Sequence, residues 1–311
     1  MEYLLALQEA REAAPDFMNT FIMLVSDFIA SPLPIFIGVI IFWSISKRGG
    51  YLVMSCYIAC AAINQMVKNI LCVYRPWILD ARIHPYEAAL PTATGYSMPS
   101  GHTAIATGFF GGFAIWFKKR KALVAACVFA ILLVAFSRNW LGCHTPYDVL
   151  LSMALGVVTM LTTNWVLHVV EKKPHYDLIA SAVFFAASIG FMIICYFKSY
   201  PVDYDAAGNI LVNGHEMLKD CYESFGALFG FSIAWPLERH LIRFSVEGSV
   251  KTRVLRVVVG CVLLGATYAF GTFLLQPLLG EGLGRYFKYA LIVLVVVVGH
   301  PALFTWWERR H

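Results

Sequence analysis

The chain has 311 residues, of which 59% are apolar and only 14% are charged, and its mean hydropathy is +0.68. Soluble domains carry about a quarter charged residues, so this composition excludes an ordinary water-soluble protein and indicates a polytopic membrane protein. The formal charge of +5 does not predict a nucleic-acid partner, because basic residues in a membrane protein mostly record its orientation. The eight cysteines include no CxxC pair and most lie in apolar runs, so no disulfide framework is expected.

The N-terminal segment, residues 1–32, begins with the acidic stretch MEYLLALQEAREAAPD, which lacks the basic region and cleavage site of a signal peptide. Its leucines predict a short amphipathic helix at the membrane surface. Apolar runs after it predict about nine membrane spans, so the expected fold class is all-α, a polytopic helical bundle. The predicted spans are residues 33–47, 51–72, 102–117, 122–137, 149–170, 178–197, 222–236, 254–277 and 285–306.

Basic residues predict the orientation of these spans. With nine spans, all basic clusters fall on one side, which the positive-inside rule makes cytoplasmic. These clusters are Lys47 and Arg48, the KKRK run at 118–121, Lys172 and Lys173, the stretch 239–256, and Arg309 and Arg310. The N-terminus and every polar cluster suspected of chemistry then lie on the other, extracytoplasmic side.

The first polar cluster, KNILCVYRP, lies at the outer end of the second predicted span. Lys68 and Arg75 are seven residues apart, which is about two helical turns. This spacing predicts that both cations lie roughly on one helix face, with Pro76 ending the helix. The alternative is that both side chains only snorkel towards lipid headgroups.

The second cluster is PSGHT, residues 99–103, directly before the third predicted span. Ser100 and Gly101 lie in a turn that places backbone N–H groups at a helix N-terminus, where unpaired amides and the helix dipole bind anions. In the alternative reading, Ser100 only caps the helix and His102 is a polar residue at the membrane interface.

The third cluster is SRNWLGCHTPYD, residues 137–148, in which Arg138 follows the fourth predicted span. His144 and Asp148 are four residues apart, close enough to meet on one helix face. An aspartate that accepts from one imidazole nitrogen leaves the other free for nucleophilic attack. Thr145 to Asp148 also has the pattern of a capped helix start, but capping leaves Arg138 and His144 unexplained.

The residue types of the three clusters point to phosphate chemistry when they are taken together. Guanidinium forks, a lysine and helix N-terminal amides bind phosphate oxygens, and two histidines can serve as nucleophile and leaving-group acid. No set of side chains has the spacing of a metal site, so neither a metal nor another cofactor is expected. A cysteine phosphatase is disfavoured because Cys143 lacks the Cys-x5-Arg loop: residue 149 is valine. Cys143 is therefore expected to be a packing residue.

The order Lys-x6-Arg-Pro, Pro-Ser-Gly-His and Ser-Arg-x5-His-x3-Asp resembles the three-part motif of the type 2 phosphatidic acid phosphatase superfamily. It spans roughly residues 68–148 and is present in full. The superfamily includes lipid phosphatases, prenyl-diphosphate phosphatases, glucose-6-phosphatase and vanadium haloperoxidases.

The resemblance implies a role for each motif residue. His144 would attack phosphorus and form a phosphohistidine, and Asp148 would orient it. His102 would protonate the leaving alcohol and then activate water. The phosphate oxygens would be bound by Lys68, Arg75, Arg138 and the amides of Ser100 and Gly101. The resemblance implies no metal.

The architecture departs from the usual six-span core of that family, because the first motif part follows the second span and further spans follow the core. We therefore divide the chain into an interfacial segment 1–32, a phosphatase core 33–200 and a C-terminal transmembrane extension 201–311, which shows no comparable polar cluster. This layout is closer to glucose-6-phosphatase than to small lipid phosphatases.

The expected function is hydrolysis of a lipid phosphate or prenyl diphosphate at the extracytoplasmic face of the plasma (inner) membrane. The expected partners are a phosphorylated lipid substrate and membrane lipids. One alternative is a phosphatase of a soluble sugar phosphate, with the loop between Asp80 and Met98 enclosing the substrate. Another is a non-catalytic lipid-binding or transport protein, which is disfavoured because both histidines are present. A haloperoxidase is disfavoured by the polytopic architecture.

Overall fold

A computed structural model describes residues 1–205 and 207–310. The described residues form helices and no strand, apart from one isolated bridge between Tyr204 and Ile210. The all-α prediction is therefore confirmed. The helices of the N-terminal half are α1 (Glu2–Ala13), α2 (Asp16–Ala30), α3 (Leu33–Ser44), α4 (Lys47–Leu71), α5 (Pro76–Leu79), α6 (Gly101–Trp116) and α7 (Lys121–Trp140). Those that follow are α8 (Pro146–Lys172), α9 (Tyr176–Phe197), α10 (Gly214–Leu237), α11 (Val250–Phe270), α12 (Gln276–Leu279), α13 (Glu281–Leu294) and α14 (His300–Glu308).

Two of the membrane-length helical segments consist of α-helices joined by a π-helical segment. A π-helical segment, Gly271–Leu275, joins α11 to α12, and another, Val295–Gly299, joins α13 to α14. The two runs Val250–Leu279 and Glu281–Glu308 are therefore each long enough to cross a bilayer. In the loop before α6, Glu87–Thr92 forms a short 3₁₀-helix.

Each of the nine predicted spans corresponds to a helix, but the count of nine crossings is not confirmed. Within the described residues, six helical segments are long and apolar enough to cross a membrane, or seven if the bent pair α2–α3 is one span. Of the remaining helices, α6 has only 16 residues, and α10 carries charged residues in its first half, Asp220 and Glu223 among them. The bend between α2 and α3 is 52° and falls at Ser31 and Pro32, where proline removes a backbone donor.

The centre of the bundle is α4, which contacts α3, α6, α8, α9 and α10. Its contact with α6 is close because the facing residue is a glycine: a Cβ on Gly108 would lie 2.7 Å from the Cys56 carbonyl oxygen. Small residues at such positions let membrane helices approach backbone to backbone. This packing brings the N-terminus of α6 beside the C-terminal end of α4.

The C-terminal helices pack directly against this core. Helix α10 contacts α4, α9 and α13, and a buried cluster that includes Met54, Phe225 and Tyr286 joins the three helices α4, α10 and α13. A Cβ on Gly226 would lie 2.2 Å from the Tyr286 carbonyl oxygen, so this crossing also requires glycine. The extension predicted at 201–311 therefore shares the hydrophobic core of the rest of the bundle.

The N-terminal helices pack against α7. Arg11 of α1 donates to the carbonyl oxygens of Trp140 (3.0 Å) and His84 (2.5 Å), which ties α1 to the C-terminal end of α7. Helix α2 runs along α7, and the indole of Trp140 donates to Asn19 Oδ1 over 2.9 Å. The surface placement predicted for residues 1–32 stays a prediction, but α2 is also part of the bundle and carries the buried Ser26.

Candidate active site

Lys68 and Arg75 converge on one cavity, but they do not share a helix face as the spacing predicted. Helix α4 ends at Leu71, and Cys72 follows in the left-handed conformation with φ 49°. Arg75 lies in the extended backbone before Pro76, which begins α5. The shared-face prediction was wrong because Cys72 breaks the helix after Leu71, and because Arg75, as the residue before a proline, is also driven out of the α-helical region.

The guanidinium of Arg75 is fixed by main-chain oxygens. Its NH2 group donates to Thr94 O (2.7 Å) and its Nε to Gly95 O (3.0 Å), while NH1 donates to Cys143 O (3.0 Å). The same NH1 lies 2.9 Å from His144 Nε2. These contacts hold a permanent positive charge directly beside that ring nitrogen.

His144 lies in the loop between α7 and α8. The loop turns at Gly142, whose φ of +70° is disfavoured for residues with a side chain. It folds back onto α7, because the His144 N–H donates to Arg138 O (3.2 Å) and Asn139 Nδ2 donates to His144 O (2.8 Å). Burial, followed by the nearby guanidinium of Arg75, lowers the pKa of His144 well below its ordinary value, so the ring is neutral at neutral pH.

Ser97 links His144 to Asp148, and the sequence analysis missed it. Ser97 Oγ donates to Asp148 Oδ2 over 2.6 Å and lies 3.3 Å from His144 Nδ1, whereas Asp148 Oδ2 itself is 3.6 Å from Nδ1. Since Ser97 gives its hydrogen to Asp148, its lone pairs suit a hydrogen donated from Nδ1. That tautomer leaves Nε2 unprotonated, on the side of Arg75.

Asp148 also has the capping role that was considered as an alternative. Thr145 caps α8 by accepting from the Asp148 N–H, and Asp148 Oδ2 accepts from the Thr145 N–H over 2.7 Å. The capping-box prediction is confirmed, and the same carboxylate oxygen also accepts from Ser97. One acid therefore both begins the helix and fixes the hydrogen-bond chain that ends at His144.

At the N-terminus of α6, Ser100 has the predicted capping role. Its side chain accepts from the Thr103 N–H, and its own N–H donates to Asp148 O over 3.2 Å. The Ser100 amide is thus engaged within the protein, while Gly101 and His102 occupy the first helical positions, whose N–H groups have no partner within a helix. A Cβ added to Gly101 would lie 4.0 Å from Lys68 Nζ, so this helix end faces the lysine.

Two of the predicted site residues carry buried polar atoms that have no hydrogen-bond partner among the described residues. They are the Nε and NH2 groups of Arg138 and the Nε2 of His102. The remaining Arg138 group, NH1, donates to Ser26 Oγ over 2.5 Å, which is a second contact that the sequence analysis missed. Buried donors without partners are rare and costly, and two N–H groups of one guanidinium match two oxygens of a phosphate.

A cavity of about 390 Å³ joins most of these groups. Of the predicted site residues, Lys68, Arg75, Gly101, His102 and His144 line it, whereas Ser100, Arg138 and Asp148 are buried and are not among its lining residues. The cavity continues along α4 and is also lined by residues of the C-terminal helices. These include Asp220, Glu223, Ser224 and Ala227 of α10 and Tyr289 of α13. The C-terminal extension therefore contributes polar side chains to the same cavity.

One neighbouring feature agrees with a further prediction. Cys143 is buried in a hydrophobic cluster with Trp140 and Leu141, as expected for a packing residue. Among the residues that the structure describes, no three or more His, Cys, Asp or Glu side chains are grouped so that they could hold a metal ion.

Comparison with known families gives the class of protein. The family model described as "PAP2 superfamily" matches residues 50–173, and the one described as "PAP2 superfamily phosphatase, transmembrane extension" matches residues 222–309. The two matched stretches lie within the predicted regions 33–200 and 201–311. The chain belongs to the PAP2 superfamily, which confirms the resemblance to type 2 phosphatidic acid phosphatases.

Two curated relatives are undecaprenyl-diphosphatases. The chain is 33% identical to Undecaprenyl-diphosphatase BcrC of Bacillus subtilis over 101 residues, which are 32% of this chain and 49% of that protein. It is 29% identical to the Undecaprenyl-diphosphatase of Sulfolobus acidocaldarius over 124 residues, which are 40% of this chain and 57% of that protein. The chain thus spans about half the length of the curated relatives it matches. No solved structure matches the chain.

Proposed function

We propose that this protein is an integral membrane phosphatase that hydrolyses a phosphorylated lipid through a phosphohistidine intermediate, without a metal ion. The observation that carries the proposal is the position of His144 Nε2, which is 2.9 Å from Arg75 and held by the Ser97–Asp148 relay. The names of the two undecaprenyl-diphosphatase relatives support a lipid-linked phosphate or diphosphate as substrate.

The phosphate would bind between the cationic groups. Lys68 and Arg75 line the cavity, and Arg138 would direct to phosphate oxygens the two N–H groups that have no partner among the described residues. The N–H groups of Gly101 and His102 at the start of α6 would complete the set. All of these groups carry a full or partial positive charge, which stabilises the negative oxygens of a transferring phosphoryl group.

In the first chemical step, the lone pair of His144 Nε2 attacks phosphorus and the bond from phosphorus to the leaving oxygen breaks. His102 gives a proton to that oxygen, and Ser97 and Asp148 stabilise the positive charge that develops on the His144 ring. In the second step, His102 takes a proton from water as the water oxygen attacks phosphorus. The N–P bond then breaks, which regenerates His144 and releases phosphate.

The apolar part of the cavity supports a lipid substrate over a soluble one. Below the charged groups it is lined by Ala30, Ile58, Ala61, Ile105 and Ala227. An acyl or prenyl chain would bury apolar surface there, whereas a free sugar phosphate would leave this region without a matching partner.

The proposed site faces the extracytoplasmic side. Lys47 and Lys68 lie at opposite ends of α4, which at 1.5 Å per residue places them roughly 30 Å apart. The basic residues Lys47, Arg48 and Arg239 share the end of the bundle away from the cavity, and the positive-inside rule makes that end cytoplasmic.

The test is phosphate release by the purified protein in detergent, with EDTA present. The substrates are phosphatidate, a polyprenyl diphosphate and glucose 6-phosphate, each also measured with His144→Ala. Release from a lipid that requires His144 and survives EDTA supports the proposal. Release from glucose 6-phosphate alone would favour the soluble-substrate alternative, and complete loss in EDTA with recovery on adding a divalent ion would refute the metal-free scheme.

A further inference from the structure

The cavity is layered along α4. Lys68 lies in the cationic layer at the outer end, and Gln65 lies one helical turn deeper, roughly 4.5 Å along the axis, on the same helix face. Ala61 and Ile58 follow on that face after one and two further turns. The lining therefore changes from cationic to polar to apolar in the direction of the membrane interior.

The middle layer presents hydrogen-bond acceptors. Gln65 Nε2 donates to Asp220 Oδ2 over 3.4 Å, and Gln65 Oε1 is buried with no partner among the described residues. The amide orientation follows from chemistry, because a carboxylate can only accept, so the amide nitrogen must face Asp220. Both residues line the cavity, so an amide oxygen and a carboxylate are available to one ligand.

The second acid of this layer is already neutralised by the protein. Glu223 Oε1 accepts from Arg285 NH1 over 2.7 Å, and Tyr289 also hydrogen-bonds to Glu223. Among the described residues Asp220 forms no ion pair of comparable length, Lys68 is the cation whose charge influences it most, and the side-chain hydrogen bond that it accepts from Gln65 is long. The hydrogen-bond acceptors of the middle layer are therefore Gln65 and Asp220. Because a buried acceptor without a partner is unfavourable, a ligand that supplies a hydrogen-bond donor here would bind more tightly.

We infer that the substrate is a lipid monophosphate that carries a hydroxyl or ammonium group between its phosphate and its apolar chain. This inference rests on the proposed function and narrows its substrate class. The phosphate would lie among Lys68, Arg75 and His144, the donor group would bind Gln65 Oε1 and Asp220, and the chain would lie along Ala61 and Ile58. A diphosphate is disfavoured, because its second phosphate would place negative oxygens against the same acceptors.

The experiment uses three lipids that differ at one carbon. They are 1-oleoylglycerol 3-phosphate, which has a free hydroxyl at carbon 2, the 2-deoxy analogue, and the 2-amino analogue, which supplies an ammonium group. The wild-type protein should show kcat/KM about tenfold higher for the hydroxyl or amino lipid than for the deoxy lipid, since one hydrogen bond to a charged acceptor has this magnitude. Whichever of the two lipids, hydroxyl or amino, gives the larger ratio of kcat/KM to that of the deoxy lipid carries the donor group that the site prefers.

The ratio of kcat/KM for the donor-bearing lipid to kcat/KM for the deoxy lipid should fall most of the way to one in Asp220→Asn. The main cause should be a higher KM for the donor-bearing lipid. Gln65→Met, which removes the amide oxygen at similar volume, should do the same and serves as a second variant if Asp220→Asn is poorly folded. Glu216→Gln is the matched control, because Glu216 lies on the same helix, outside the cavity, and pairs with Lys219. It should leave the ratio unchanged.

A diphosphate adds an independent readout. Wild-type protein should prefer farnesyl monophosphate to farnesyl diphosphate, and Asp220→Asn should shift that preference towards the diphosphate. Equal loss on every lipid in Asp220→Asn would mean that the carboxylate acts only through Lys68, and would overturn the inference. Wild-type turnover without any preference would overturn it while leaving the proposed function standing, whereas no turnover of any lipid would overturn both.

Discussion

Ser97 Oγ donates a hydrogen bond of 2.6 Å to Asp148 Oδ2. Because the carboxylate oxygen lies 3.6 Å from His144 Nδ1, the serine is the closer group to the imidazole, at 3.3 Å. Asp148 therefore orients His144 largely through Ser97. The relay fixes which ring nitrogen carries the proton, and hence which one faces the cavity.

Ser97→Ala should lower kcat by roughly 10- to 100-fold with a small change in KM, as is common when the residue that orients a ring is removed. Ser137→Ala is a suitable control, because Ser137 is also buried close to the site but donates to Val134 O. Steady-state kinetics on the preferred lipid would measure both variants. A Ser97→Ala enzyme with wild-type kcat would show that Asp148 orients His144 without the serine.

His144→Ala should abolish turnover, by about 10⁴-fold or more, because it removes the ring nitrogen that forms the N–P bond. Asp148→Asn should lower kcat by about 100-fold and leave expression intact, since the amide oxygen can still accept from the Thr145 N–H. Rapid quenching of the reaction with ³²P-labelled substrate in alkaline denaturant, where the acid-labile N–P bond survives, would trap the intermediate on wild-type protein and leave His144→Ala unlabelled. Label on His144→Ala would place the nucleophile elsewhere.

The sequence was sufficient to predict the motif residues because ionisable side chains are scarce in so apolar a chain. Lys68, Arg75, His102 and His144 stand out for that reason, and all four line the cavity. Their relative geometry was harder to predict. The break after Leu71 is made by Cys72 in a left-handed conformation, for which a non-glycine residue gives no sequence signal.

The supporting residues could not be predicted because they are single polar residues brought in by tertiary packing. Ser26 reaches Arg138 across 112 positions of sequence, and Gln65 reaches Asp220 across 155. A lone serine or glutamine at a membrane helix has no local pattern that distinguishes it from an interface residue. Predicting such contacts requires knowledge of which helices are neighbours, such as α2 with α7 and α4 with α10.

Ser26→Ala should weaken phosphate binding. It leaves the remaining N–H group of Arg138 without its 2.5 Å partner and frees the guanidinium to rotate. We expect the inhibition constant for vanadate, a phosphate mimic, to rise about tenfold, which corresponds to ~1.4 kcal/mol. Ser55→Ala is the control, because its hydroxyl is equally buried and donates to Tyr51 O away from the site. An unchanged vanadate constant in Ser26→Ala would show that Arg138 is positioned by other contacts.

The lowered pKa of His144 predicts that the acid side of the pH–activity profile is shifted to lower pH. A lowered pKa means that the ring stays neutral, and thus nucleophilic, below the ordinary histidine value of about 6.5. Titration of ¹⁵N-histidine-labelled protein should show the His144 signal, assigned by its loss in His144→Ala, still neutral at pH 6.5. The His144-dependent decline of kcat/KM should likewise lie below that pH. A ring that is half protonated at pH 6.5 or above would contradict this prediction.

Gly142→Ala should destabilise the loop that carries His144. The residue has φ +70°, and a Cβ there would lie 3.2 Å from Pro85 Cα, so alanine adds both backbone strain and a close contact. The strain alone amounts to about 1–2 kcal/mol. Gly190→Ala is the matched control, because a Cβ at Gly190 has no atom within 4 Å and the residue lies within α9.

Thermal unfolding in detergent should therefore show a lower midpoint for Gly142→Ala and no decrease for Gly190→Ala, for which helix propensity favours alanine. Because Gly142 lies two residues before His144, kcat should fall together with stability in Gly142→Ala. Excess vanadate should recover part of the lost stability if the loop regains its geometry around a bound anion, since a ligand that binds only the folded state stabilises it by mass action. A Gly142→Ala protein with wild-type midpoint and wild-type kcat would show that the turn at this glycine does not set the position of the histidine.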